Sequence, residues 1–151
     1  MSIEMNAYTG MPHYLLRFGH HLIRGFKHKA GEKYSLNKSQ MRTLIILGRR
    51  GGQTMTELVT HMNIEKGSMT SVVDSLIEGG FVSRERDSKD RRKVLISLLP
   101  PGQEMAQALS GEMEEHIRSQ LNLLGEERVA SLMELVEVVK ESLEIWENTN
   151  E

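Results

Sequence analysis

Between Phe81 and Leu98 the sequence reads FVSRERDSKDRRKVLISL. Arg84, Arg86, Lys89, Arg91, Arg92 and Lys93 stand there against only Glu85, Asp87 and Asp90. Guanidinium groups present planar forks of N–H donors and lysine adds compact point charges, so such a cluster suits the oxygens of phosphate or carboxylate. The flanks are β-prone and alternating. Val82, Arg84 and Arg86 alternate with Ser83 and Glu85, and Val94, Ile96 and Leu98 share a face on the return run. A hairpin with cations massed at its tip has no core to build there. Its chemistry is that of reaching a polyanion.

The elements just upstream must position this hairpin. Thr54-Met55-Thr56-Glu57 is a capping box opening a short helix that buries Met55, Leu58, Val59 and Met62. Asn63-Ile64 makes a turn, and a second helix runs from about Glu65 to Glu78 with Met69, Val72, Val73, Leu76 and Ile77 as its buried stripe. Gly79-Gly80 ends it. Two helices around a tight turn, followed by a hairpin, read as a helix-turn-helix with a wing, an arrangement that lays its second helix in the major groove of DNA. The stripe leaves Lys66, Gly67, Ser68, Thr70, Ser71 and Asp74 facing outward. Ser68 and Ser71 can donate or accept at base edges, the Thr70 methyl suits a thymine methyl, and Lys66 can reach a phosphate or a guanine. Thr54 and Thr56 sit at a helix N-terminus, where backbone N–H groups attract phosphate, although capping alone accounts for Thr54. At the wing, Arg92 is expected in the minor groove and Arg86, Lys89 and Arg91 along phosphates. Charges kept only for solubility are the rival view, which this density disfavours.

The rest of the chain reads as helix. Residues 1–10 lack a clear period and are expected to fray. From Met11 to about Gly31, Leu15, Phe18, Leu22 and Phe26 mark one helical face. A second helix starts at Asn37, where Asn37-Lys38-Ser39-Gln40 has capping-box form and Leu36 is placed to staple onto Met41. It continues through Leu44, Ile45 and Leu47 to Gly51-Gly52. After the hairpin, Pro100-Pro101-Gly102 breaks the strand and opens a long helix through Met105, Leu109, Met113, Ile117 and Leu121. A last helix runs from about Glu126 to Trp146, with Val129, Leu132, Val136, Val139, Leu143 and Trp146 in heptad spacing. By itself that seam fits a partner helix and an ordinary amphipathic helix equally well. Because the winged segment supplies its own core while both chain ends are apolar-striped, Leu15, Phe18 and the seam are expected to form a dimer contact. The expected class is mainly α (α+β). Residues 36–99 would form a winged helix-turn-helix with a two-stranded wing, and 11–35 with 100–147 a helical dimerisation region.

Charge supports this division. Residues 100–151 carry 12 acidic and 3 basic residues, a net of −9, while residues 1–99 carry 9 acidic and 16 basic, a net of +7. Such asymmetry points to nucleic-acid binding by the first part. The chain has no cysteine, which excludes disulfides and thiolate zinc sites and agrees with a cytoplasmic location. No apolar run approaches the roughly 20 residues that span a bilayer, so no membrane partner is expected. Without a nucleophile–base–orienter set or a phosphate-cradling glycine loop, no enzyme and no cofactor is expected. His21 and His28, seven apart, would share a face of the first helix. Beyond Glu112, Glu115 and His116 no further cluster offers metal ligands, and no metal site is expected.

In about 150 residues, the order helix, helix, helix-turn-helix, wing, long helix, long helix resembles the MarR family of bacterial and archaeal transcriptional regulators, from about Met11 to Trp146. Val72-Val73-Asp74-Ser75-Leu76-Ile77-Glu78-Gly79-Gly80-Phe81-Val82-Ser83-Arg84 looks like the family's end of recognition helix and first wing strand. Asp87-Ser88-Lys89-Asp90-Arg91-Arg92 is similar to its wing tip. The resemblance implies a triangular homodimer whose terminal helices interleave and whose two winged helices straddle one palindromic duplex. It also implies that Asp90 orients Arg92 through a bidentate pair. Such proteins often bind a small aromatic or anionic effector between the dimer helices and the DNA-binding lobe. Arg17, His20, His21 and residues near Met41 are the candidates here. Two departures stand out. Ser71 occupies a place where many relatives carry arginine, which removes a bidentate guanine contact and shifts specificity toward the wing and DNA shape. Leu99 followed by two prolines stands where many have a threonine. The expected function is a double-stranded-DNA-binding regulator, a ligand-responsive repressor by steric blocking. The alternative is a winged-helix protein-interaction adaptor, which has little need for Asp90-Arg91-Arg92.

Overall fold

The computed structural model describes residues 5–149, in the order α1 (Met5–Ile23), α2 (Lys29–Lys33), α3 (Lys38–Arg50), β1 (Gln53–Thr54), α4 (Met55–Met62), α5 (Lys66–Glu78), β2 (Val82–Arg86), β3 (Val94–Leu98), α6 (Pro100–Asn122) and α7 (Glu126–Thr149). Two compact units result. One comprises Met1–Phe26 with Glu114–Glu151, and the other is Lys27–Met113. The division falls within α6. No helix among the described residues is long and apolar enough to cross a membrane.

The Lys27–Met113 unit is built from local signals that agree with one another. Both capping boxes form: the Asn37 side chain accepts from the Gln40 amide while Gln40 accepts from the Asn37 amide, and Thr54 and Glu57 do the same for α4. Asn63, at φ 51° and ψ 48°, makes the left-handed turn between α4 and α5. Gly80, at φ +73°, closes α5, with the Phe81 amide reaching back to the Leu76 carbonyl as in a Schellman motif. Apolar positions at helical spacing then converge. Leu44 and Leu47 of α3, Leu58 and Met62 of α4, and Met69, Val73 and Leu76 of α5 are buried with Ile96 of β3 and Leu109 of α6. Met55, Val59, Val72 and Ile77 are partly buried around them. The winged segment thus builds its core together with Met105, Ala106 and Leu109 of α6, which lie outside residues 36–99.

The sheet has three strands, in the order β1-β3-β2, all antiparallel. The expected two-stranded wing is present as β2 and β3, in register Val82↔Leu98, Arg84↔Ile96 and Arg86↔Val94. The third strand, β1, adds only Gln53↔Ile96 and Thr54↔Leu95, too short for any sequence period to reveal. The face shared by Val82, Arg84, Arg86, Val94, Ile96 and Leu98 starts in the core, where Val82 and Ile96 are buried, and leaves it toward the tip, where Val94 and Arg86 are exposed. Prolines open α6 where their missing N–H groups would have no helical partner.

The other unit differs from expectation at its start. Helix α1 begins at Met5, so residues 5–10 are helical rather than frayed, while residues 1–4 of that expectation lie outside the described residues. It ends at Ile23 instead of running to Gly31, because Gly25 adopts φ +75° and turns the chain. Phe26 therefore leaves the stripe and packs its ring 5.0 Å from that of His116. For the same reason His21 and His28 lie on separate elements rather than on one helical face. Helices α6 and α7 follow the expected course, α7 continuing three residues past Trp146. No described residue of α1 or α7 is buried.

Candidate nucleic-acid interface

All the residues expected to meet a polyanion, from Thr54 to Arg92, lie in the Lys27–Met113 unit. On α5, Lys66, Gly67, Ser68, Ser71 and Asp74 are exposed as expected, whereas Thr70 is half-buried. The hydroxyls are already engaged. Thr70 Oγ1 donates to the Lys66 carbonyl at 3.0 Å, and Ser71 Oγ donates to the Gly67 carbonyl at 3.4 Å. With their protons directed at their own helix, both oxygens present lone pairs, which suits them to accept from an exocyclic amine.

At the start of α4 the anion position is already filled. The Glu57 carboxylate accepts from the Thr54 amide at 2.7 Å and from the Thr54 hydroxyl at 2.9 Å. The Thr54 amide, then its hydroxyl, hold the Glu57 carboxyl below its ordinary range. Thr54 is thus committed to its cap, while Thr56 is exposed beside it. The Thr-x-x-Glu spacing was the signal for this arrangement, and it bears on phosphate binding as much as on helix start.

The wing tip is an organised turn. Asp87 Oδ1 accepts from the amides of Lys89 and Asp90, both at 2.7 Å, and the main chain closes through Asp87 N to Lys93 O and Lys93 N to Asp90 O. The expected bidentate Asp90–Arg92 pair does not form. A single oxygen, Asp90 Oδ1, accepts from the Arg92 main-chain amide at 3.1 Å and from its Nε at 3.3 Å. Two residues apart in one turn, the side chains meet side-on rather than fork to fork. The Arg92 side chain remains 93% exposed. Lys89 and Arg91 are also exposed, and Arg86 is exposed at the end of β2.

Two backbone amides hold the Asp87 carboxyl below its ordinary range, that of Asp90 most strongly and then that of Lys89. A carboxylate with a depressed pKa contributes order that is present above its unfolded pKa and lost as pH falls through the folded one. The Lys89 and Asp90 amide resonances should therefore titrate with a midpoint below that of an ordinary aspartate. In Asp87→Asn that titration should vanish from an NMR pH series.

Sequence alternation did not single out one contact of the site. Arg84 Nη2 lies 2.6 Å from Asp74 Oδ1, joining β2 to α5 across ten residues.

The expected effector residues belong to two units. Arg17, His20 and His21 line one concavity of about 390 Å³ with Leu16 and Arg24, all on α1 or its end. Met41 belongs to the core of the winged unit, with its sulfur against Gly31. The expected dimer residues Leu15, Phe18, Val136, Val139, Leu143 and Trp146 are exposed, and Val129 and Leu132 are half-buried.

A helix-turn-helix, a hairpin wing after its second helix and long flanking helices define a winged helix-turn-helix fold. The model of the MarR family matches residues 36–94. The regulator YkoM of Bacillus subtilis is 30% identical over 100 residues, 66% of this chain and 62% of its own length. The crystal structure of the transcriptional regulator PA4135 is 29% identical, with a TM-score of 0.69 over 86% of this chain and 95% of that one. NadR, solved in complex with 4-hydroxyphenylacetate, has the same fold at 22% identity, with a TM-score of 0.68 over 85% of this chain and 91% of its own. The chain is thus similar to the MarR family over its winged segment and to a curated helix-turn-helix transcriptional regulator over 66% of its length.

Proposed function

We propose that this protein is a double-stranded-DNA-binding repressor that acts in the cytoplasm as a homodimer on a palindromic operator. One observation carries the reading. The exposed face of α5 and a rigid wing tip that holds up Arg92 belong to one packed unit. Helix α5 would enter the major groove through Lys66, Ser68, Thr70 and Ser71, close to the backbone at Gly67, where there is no side chain. Arg92 would enter the minor groove, Arg86, Lys89 and Arg91 would line phosphates, and Asp90 would hold Arg92 by its inner nitrogen. Glu57 at the start of α4 leaves Thr56, rather than Thr54, as the residue for a phosphate. Repression follows from steric exclusion of polymerase.

Dimerisation is supported by α7. Its seam of Val129, Leu132, Val136, Val139, Leu143 and Trp146 adjoins Leu135, Val138 and Ile145, so apolar side chains occupy more than half its circumference. That arc is wider than one neighbour covers, and a second copy would cover the remainder. An aromatic or anionic effector is supported by the cationic concavity of Arg17, His20, His21 and Arg24, and by the aromatic acid bound to NadR.

DNA selected from a random pool against the full chain provides the test. Arg92→Ala should lose about 1–3 kcal/mol of binding in a fluorescence-anisotropy titration. The wild type should weaken steeply with salt as counterions are released. A flat salt dependence would exclude DNA as the partner, and an unchanged Arg92→Ala affinity would remove Arg92 from the site.

A further inference from the structure

The outward face of α5 carries two acidic side chains, Asp74 and, at its last turn, Glu78. Asp74 lies seven residues beyond Gly67 and three beyond Ser71, so all three share a helical stripe. A carboxylate on that stripe opposes any polyanion brought to the helix. Its partner comes from the wing. On β2, Val82, Arg84 and Arg86 point to one side of the sheet, and Val82 is buried in the core. One pleat further out, where that face leaves the core, Arg84 meets Asp74 at 2.6 Å. The chain between them passes through Gly79 and through Gly80 at φ +73°. Packing at Val82 therefore anchors the base of the wing, and beyond it the ion pair ties β2 to α5. The half-exposed pair, 43% and 50% by side chain, is accessible to solvent and salt.

We infer that Arg84 is a positioning residue: through Asp74 it sets the angle between α5 and the wing, and it masks the carboxylate that lies one turn beyond Ser71. Its role is distinct from that of Arg86, Lys89, Arg91 and Arg92, which would touch DNA. The consequence for binding rests on the DNA-binding reading above, whereas the clamp itself can be measured without DNA.

The absence of cysteine makes the full chain suitable for paired spin labels. Labels at Ser68→Cys on α5 and Ser88→Cys at the wing tip report the angle as a distance distribution. Arg84→Gln should broaden that distribution, and Arg84→Lys should restore most of its width, with the thermal midpoint checked to confirm folding. An unchanged distribution in Arg84→Gln overturns the clamp. On selected DNA, Arg84→Gln should weaken binding about fivefold, the equivalent of an exposed ion pair at the top of its usual range. The slope of log affinity against log salt should stay that of the wild type, because no phosphate contact is lost. A slope shallower by about 1 would make Arg84 a phosphate ligand and overturn the positioning role. Failure of the wild type to bind any duplex would defeat the DNA-binding reading, while the label distances would still decide the clamp.

Discussion

Val136→Glu combined with Leu143→Glu should turn the protein into a monomer. Both side chains are close to half exposed in the single chain, 45% and 47%, so the fold of one copy loses little by their replacement. In the proposed dimer each would be covered, and burying an aliphatic side chain contributes roughly 1.5–3 kcal/mol. Losing two per copy and bringing four carboxylates into an apolar contact should weaken self-association by more than about 1,000-fold. Sedimentation equilibrium should report the monomer mass at concentrations where the wild type is dimeric, with unchanged helical circular dichroism. Affinity for a two-half-site duplex should fall steeply, because one winged unit loses the effective concentration supplied by its twin. An unchanged mass would place the dimer contact elsewhere.

The second large effect pairs two glycines of α6. A Cβ on Gly102 would collide with the main-chain carbonyl of Phe81 and crowd Leu98 Cδ2 at 3.2 Å. That carbonyl already accepts from the Leu99 amide at 2.9 Å, so it is held in place where β2 begins and β3 ends. Because backbone rather than a flexible side chain must move, Gly102→Ala should destabilise the protein by about 3 kcal/mol. Gly111, nine residues on in the same helix, has nothing within 4 Å of such a Cβ. Gly111→Ala should stabilise by about 0.5–1 kcal/mol, since glycine is a poor helix former. Urea denaturation of the two variants should give opposite signs. Equal shifts would mean that Phe81 yields easily and the junction is loose.

These cases show where sequence reading succeeds. The Asn37 and Thr54 capping boxes, the turn at Asn63 and the stop at Gly79-Gly80 are local devices, each complete within about four residues, and each formed as read. The stripe from Met69 to Leu76 announced its buried face because a helix repeats every 3.6 residues. Gly25 was different. Whether a glycine within a helical pattern bends or ends the helix depends on a backbone angle that composition does not reveal. Strand β1 escaped notice because two residues make no pattern, and pairing with β3 alone makes them a strand.

The sequence by itself determined the kind of protein. Its periodicities, caps and basic hairpin specify a winged helix between long helices, and those signals are local enough to be legible along one chain. The tertiary structure alone decided which polar groups remain available. It turned the Thr70 and Ser71 hydroxyls back onto their own helix and reduced the Asp90–Arg92 contact to a single oxygen. It also brought Arg84 to Asp74 across the Gly79-Gly80 turn. Hydrogen bonds and ion pairs are directional and are decided over a few ångströms in space. A periodic pattern identifies the face a residue occupies, but not which neighbour its polar atoms will find there.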